Sequence, residues 1–344
     1  MNSPVVIFAQ AGIQSRWTPA FAGVTVLLLG LAGSPAYSAA VSPVASEDEF
    51  LMDVLWDTYT NLPEKQEPRI GLALGGGGAR GLAHIGVLKV LEEEGVPIHR
   101  IAGTSVGALI GALYAGGVST TEMEEMSSEI GWSSLTNYSR LAMVRLVLIE
   151  QPLSSKNMEV YLEKHLQGKR FDELKIPFAC EATDLQTGER VVFKEGPVAL
   201  AARASATIPG LFEPVVFRHR YLVDGGLVGN IPTDLVSLIG ADVIIAVNVT
   251  SDLSRFEPKN IIATLNQAIS IQSESKSQEE LSRAHFVIRP QLGDITAMDL
   301  ARSAECIDAG SLATRRAIPG IKRLLMDGHL ETLLRYQRKP HEKV

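Results

Sequence analysis

Only two cysteines, Cys180 and Cys306, occur in the 344 residues, and they form no Cys-x-x-Cys pair. His-Glu-x-x-His and similar histidine clusters are missing too, so no metal site is legible and a metal-free, cofactor-free mechanism is expected. A basic stripe is also lacking: the net charge is −7 and the pI about 5.6, which offers no electrostatic footprint for nucleic acid. The N-terminal apolar run, Val24 to Ala32, is too short for a bilayer-spanning anchor. What is present is a 46% hydrophobic chain, ample for a globular core. Its glycines crowd between Gly71 and Gly117, so they are positional rather than a sign of low complexity.

Arg16 precedes the Val24–Ala32 run, and Ala36 with Ser38 supplies a small-x-small cleavage signature. Residues 1–38 therefore read as a signal peptide, with export to the periplasm or secretion. The other reading is a disordered or membrane-associated tail on a cytoplasmic or membrane-associated protein. Residues 39–68 are acidic and proline-containing and read as a linker with one short helix around Phe50–Trp56.

From residue 69 to 250 short apolar runs alternate with helical patterns. Ile70–Leu74 reads as a buried strand, and Leu82, Ile85, Leu88 and Leu91 recur at helical spacing until Gly95 and Pro97 stop the helix. His99–Ala102 is a second strand, followed by a buried helix over Val106–Ala115. Pro177–Thr183 and Arg190–Phe193 flank Gln186-Thr187-Gly188 as a hairpin; Tyr221–Val223, Val243–Val249 and His285–Ile288 complete the strands. This alternation predicts a three-layer α/β fold with a mixed, largely parallel central sheet flanked by helices. Residues 251–344 read as a mainly helical extension on the same domain, since no proline-rich or charged linker sets them apart.

Three glycine-framed loops follow strands. Gly103-Thr104-Ser105-Val106-Gly107 lies between a strand and a helix, as a nucleophile elbow requires: small neighbours free the serine oxygen, and the helix N-terminus faces developing negative charge. The bland alternative is a strand-to-helix turn with a capping serine. Gly75-Gly76-Gly77-Gly78-Ala79-Arg80-Gly81 lets several backbone N–H groups converge as an anion nest. Gly76, Gly78 and Gly81 also satisfy Gly-x-Gly-x-x-Gly, so the competing reading is a non-catalytic protein that binds a dinucleotide or an anionic headgroup. A dinucleotide site wants an acidic residue about 20 positions on, where this chain places Ser105 instead, beside the nest. Asp224-Gly225-Gly226 ends the third strand, with glycines that let the carboxylate be aimed across the sheet top.

These motifs and the stretches between them, including Ala182-Thr183-Asp184-Leu185 and Ala204 to Pro214, resemble the patatin-like phospholipase family over roughly Ile70–Val249, its bacterial single-domain branch in particular. The resemblance implies a Ser105–Asp224 dyad and an oxyanion hole from Gly76, Gly77 and Gly78 helped by Arg80. It implies hydrolysis of a phospholipid, lysophospholipid or other acyl ester, with peripheral contact to a membrane.

A free aspartate, with a pKa of about 3.9, is a poor general base, so Asp224 must sit in a dry site that raises it. In the Ser-Asp-His order of other hydrolases His285 is the rival third member, although a strand histidine is more often structural. His84, just after the glycine loop, reads as a packing residue, and Asp184 as a turn residue. Ser205 has no elbow around it. Leu141–Ile149 reads first as a core helix and second as an acyl-chain wall or lid. Lys322, Arg323, Arg335, Arg338 and Lys339, interspersed with Asp327 and Glu331, read as a solvated helix face before an anionic-lipid contact.

Overall fold

A computed structural model describes residues 47–61, 68–129, 139, 152–250 and 261–328. Two contact units divide the chain, Met1–Asp53 and Val54–Val344. Of the first, only the start of helix α1 (Glu47–Thr60) is described, and the expected signal segment 1–38 lies outside the described residues. Leu141–Ile149 and the basic residues beyond Gly328 also lie outside them.

The second unit is organised by one eight-stranded sheet: β1 (Ile70–Leu74), β2 (Arg100–Gly103), β3 (Phe178–Asp184), β4 (Arg190–Phe193), β5 (Val215–Phe217), β6 (Arg220–Asp224), β7 (Val243–Val247) and β8 (Phe286–Ile288). Their order is β5-β6-β3-β2-β1-β7-β8, with β4 also on β3. The run β3-β2-β1-β7-β8 is parallel, whereas β4, β5 and β6 pair antiparallel. β1 is buried at all five positions, which is why it reads as a continuous apolar run rather than an alternation.

Helices α2 (Ala83–Glu93), α3 (Val106–Gly116), α4 (Thr120–Glu129), α5 (Lys156–Leu166), α6 (Val198–Ser205), α7 (Thr233–Leu238), α8 (Ile261–Ser282) and α9 (Ser303–Asp327) surround the sheet. On one face Leu235 and Val236 of α7 pack with Ile231 against Ala73, Ala102, Ala179, Ile244 and Ala246. Next along the same strands, Leu74, Ile101 and Phe178 meet Gly111 of α3. Successive strand residues point to opposite faces, so α7 and α3 form the two outer layers of a three-layer α/β fold. Among the described residues no helix is long and apolar enough to cross a membrane.

One irregularity sets up the site. β2 pairs with the first half of β3, ending at Gly103 opposite Cys180, and β6 pairs with the second half, ending at Asp224 opposite Ala182. Cys180 and Ala182 pair on their other side with Phe193 and Val191 of β4. A strand has two edges, so β2 and β6 share one edge of β3 and run into each other head-on. Their C-terminal ends stop two positions apart along β3. β5 has no counterpart in the sequence reading, because three residues carry no periodicity, and β7 stops at Val247 where Val249 was expected.

Candidate active site

Ser105 stands between β2 and α3 with φ 55° and ψ −127°, a left-handed backbone that a residue with a β-carbon adopts only under strain. The flanking glycines make the turn possible. A β-carbon on Gly103 would lie 2.4 Å from the Gly107 carbonyl oxygen, and one on Gly107 2.2 Å from that of Leu74. The Ser105 side chain does not cap α3, which removes the capping-serine alternative. Its Oγ instead donates to Asp224 Oδ2 at 2.6 Å, with both groups buried.

Asp224 is held from three sides. Its N–H donates to the Thr207 carbonyl at 2.8 Å, its carbonyl accepts from the Thr183 hydroxyl at 2.9 Å, and Oδ1 accepts from the Gly226 N–H at 2.8 Å. Only Oδ2 therefore serves the serine. Burial raises the Asp224 pKa to about 6, against the opposing pull of the bonds from Ser105 and Gly226. The dry surroundings expected for a basic aspartate are present.

The glycine loop lines the same cleft, with Gly76, Gly77, Gly78 and Arg80 beside Ser105 and Asp224. Its donors are not equivalent. Gly76 N–H donates to the Asn230 carbonyl at 3.1 Å, so this amide is taken, contrary to its expected place among the oxyanion donors. Ala79 N–H likewise goes to the Ala297 carbonyl at 2.8 Å, while among the described residues the amides of Gly77 and Gly78 bond to no partner. Arg80 is buried and desolvation lowers its pKa, yet it keeps its charge and, among the described residues, has no hydrogen-bond or ion-pair partner. Gly81 packs against Val106 at the start of α3, and Gly225 against the Glu181 backbone.

Residues 72–237 match the model of the family described as patatin-like phospholipase. Over these residues the chain carries a patatin-like phospholipase domain. It is 35% identical over 194 residues to human patatin-like phospholipase domain-containing protein 6, covering 54% of this chain and 14% of that protein. An uncharacterized NTE family protein of Mycobacterium tuberculosis is 38% identical over 189 residues, 53% of this chain and 49% of its own length. The chain thus matches half or less of the length of these relatives. The structure of human GIVD cytosolic phospholipase A2 is 12% identical, with TM-score 0.45, covering 82% of this chain and 64% of that one.

Around this patatin-like site sit residues that motif reading passed over. Ser205, at the end of α6, accepts the Ser105 N–H through Oγ at 3.0 Å and is fully buried. Thr104 donates to Glu181, whose buried carboxylate is raised to about 7 by desolvation despite its ion pair with Arg190. Asn230 takes the Gly76 N–H and donates its own Nδ2 to the Gly76 carbonyl at 3.4 Å, tying the aspartate loop to the glycine loop. α8 clamps that aspartate loop: Gln272, Ser273 and Lys276 donate to the carbonyls of Leu227, Gly226 and Val228, and Glu280 accepts from Asn230 and Ile231. No local pattern marks these residues, because each acts through a contact made only in the fold. Ser205→Ala is expected to orphan the buried Ser105 N–H and to lower kcat roughly tenfold with KM little changed. Steady-state kinetics on a soluble ester would measure it, and an unaltered kcat would remove Ser205 from the elbow's support.

His285 and His84 are engaged elsewhere. His285 Nδ1 accepts the Ile244 N–H at 3.0 Å, and Ile244 is level with Gly71, near the start of β1. Ser105 lies beyond the Leu74 level, roughly 10 Å further along the sheet. His84 is buried, and desolvation brings it down to about 4, so it is neutral and bonds the Gly75 carbonyl through Nε2 at 2.8 Å. Asp184 holds the hairpin turn through Gln186 N–H and Arg220.

Proposed function

We propose that the protein is a lipid acyl hydrolase, of the phospholipase A or lysophospholipase type, acting through a Ser105–Asp224 dyad and an acyl-enzyme without a metal. The observation that carries this reading is the 2.6 Å hydrogen bond from a strained serine to a buried aspartate, in a cleft also lined by Gly77 and Gly78. The match of residues 72–237 to the patatin-like phospholipase model supports the substrate class, and the human relative is a phospholipase-domain protein by name.

In this reading the Ser105 proton passes to Asp224 Oδ2 as Oγ bonds to the ester carbonyl carbon. The oxyanion rests on the Gly77 and Gly78 amides, with the N-terminus of α3 and the charge of Arg80 adding to the field. Collapse breaks the carbon–alkoxide bond, and the protonated Asp224 returns its proton to the leaving alcohol. Water then gives its proton to Asp224, attacks the acyl-Ser105 and releases a fatty acid, restoring both groups.

A fluorophosphonate ester tests the nucleophile directly. It is expected to phosphonylate one residue, found by mass spectrometry on the peptide containing Ser105, and to stop fatty-acid release from phospholipid and lysophospholipid alike. Labelling elsewhere, or intact hydrolysis by the labelled protein, would sink the reading.

A further inference from the structure

Two opposite charges line the cleft and neither has a partner. Arg80 is 8% exposed, and its buried Nε bonds to nothing; Glu274 of α8 has a buried Oε2 that accepts no hydrogen bond. Among the described residues no ion pair joins either of them to any group, including each other. A charge taken out of water without compensation destabilises a fold, so paired opposite charges left open at a reactive serine point to a ligand that supplies both counter-charges.

They belong to different walls. Arg80 lies on the turn that continues the glycine loop, while Glu274 follows Ser273, whose hydroxyl holds the Gly226 carbonyl in the aspartate loop. Ile208, Pro209, Ile269 and Met298 form the apolar part of the cleft. Among the described lining residues there is no aromatic ring. Quaternary ammonium groups, which have no N–H to donate, are held by aromatic faces, whereas a primary ammonium satisfies a carboxylate by charge-assisted hydrogen bonds.

We infer that the cleft recognises a dipolar headgroup, with a phosphate drawn to Arg80 and a primary ammonium hydrogen-bonded to Glu274, so that Glu274 selects ethanolamine-type lysophospholipids over anionic ones. This rests on the acyl-hydrolase reading. The guanidinium that steadies the oxyanion also faces the phosphate of the same substrate, and Glu274 repels a headgroup that offers only negative charge.

The test compares the 1-acyl lysophospholipids of ethanolamine, choline and glycerol, all with one chain length and below their micellar concentrations, on the full chain and its Glu274→Gln variant. The wild type is expected to favour the ethanolamine lipid over the glycerol lipid in kcat/KM, with the choline lipid between. Glu274→Gln should cut that preference roughly tenfold, through the KM for the ethanolamine lipid. Calorimetric binding of the same lipids to Ser105→Ala, with and without Glu274→Gln, reads the preference with no turnover, so it stands even if Ser105 proves not to be the nucleophile. A wild-type preference for the glycerol lipid, or equal loss on all substrates in the variant, would overturn the inference.

Discussion

Ser105→Ala is expected to lower kcat for any ester substrate by ~10⁴-fold or more, and Asp224→Asn by about 10³-fold or more. The reason is cooperative. With Asp224 Oδ1 engaged by Gly226, Oδ2 alone is left for the serine proton, and His285, the rival base, is held near the start of β1 by the Ile244 N–H. Groups that act as a unit are not additive, so the double variant should be no slower than Ser105→Ala alone. His285→Ala is expected to stay within a few-fold of wild type after correction for folded fraction, because its bond to Ile244 is structural. Near-wild-type hydrolysis by Asp224→Asn, or a His285→Ala defect as deep, would replace the dyad by another base.

The second large effect is on pH. A base whose pKa is raised to about 6 by burial must be deprotonated to act, so kcat/KM should climb tenfold per pH unit below about 6 and level off above it. The same shift reverses its sign for stability. Asp224 has an ordinary pKa of 3.8 in the unfolded chain, so between these values the folded protein holds more protons than the unfolded one. Its contribution is therefore fully favourable below about 3.8 and is lost as pH rises through about 6. At pH 7.5 Asp224→Asn should accordingly be the more stable protein, by on the order of 2 kcal/mol, with the gap closing in acid. Urea melts at both pH values would decide it. A variant less stable than wild type at pH 7.5 would mean that the carboxylate is not under desolvation stress.

Much of this candidate site could be read from residue order because each of its loops follows a short strand and is framed by glycines. Ile70–Leu74, the hairpin around Gln186-Thr187-Gly188 and the final strand to Ile288 were similarly visible, since burial or turn chemistry writes them locally. The direction of β6 was not. A strand ending in aspartate looks the same whether it runs with β2 or against it, and only pairing with β3 decides. Ser205 was set aside and Asn230 went unnamed for a related reason: a hydroxyl or amide that bonds one backbone group 100 or 154 positions away leaves no trace in the spacing around it. The Gly76 amide shows the converse limit, because the motif displays a donor but not that Asn230 has already engaged it.

The head-on meeting of β2 and β6 also bears on when the proposed dyad can first assemble. The proposed nucleophile and base are 119 positions apart, and β2 and β6 each pair with β3. In the proposed mechanism a ribosome that has released the elbow but not β6 has made a serine with no base. Activity would then depend on closure of the sheet's antiparallel end, a long-range pairing whose loop must first be drawn in. Chains broken before Asp224 are expected to hydrolyse no ester.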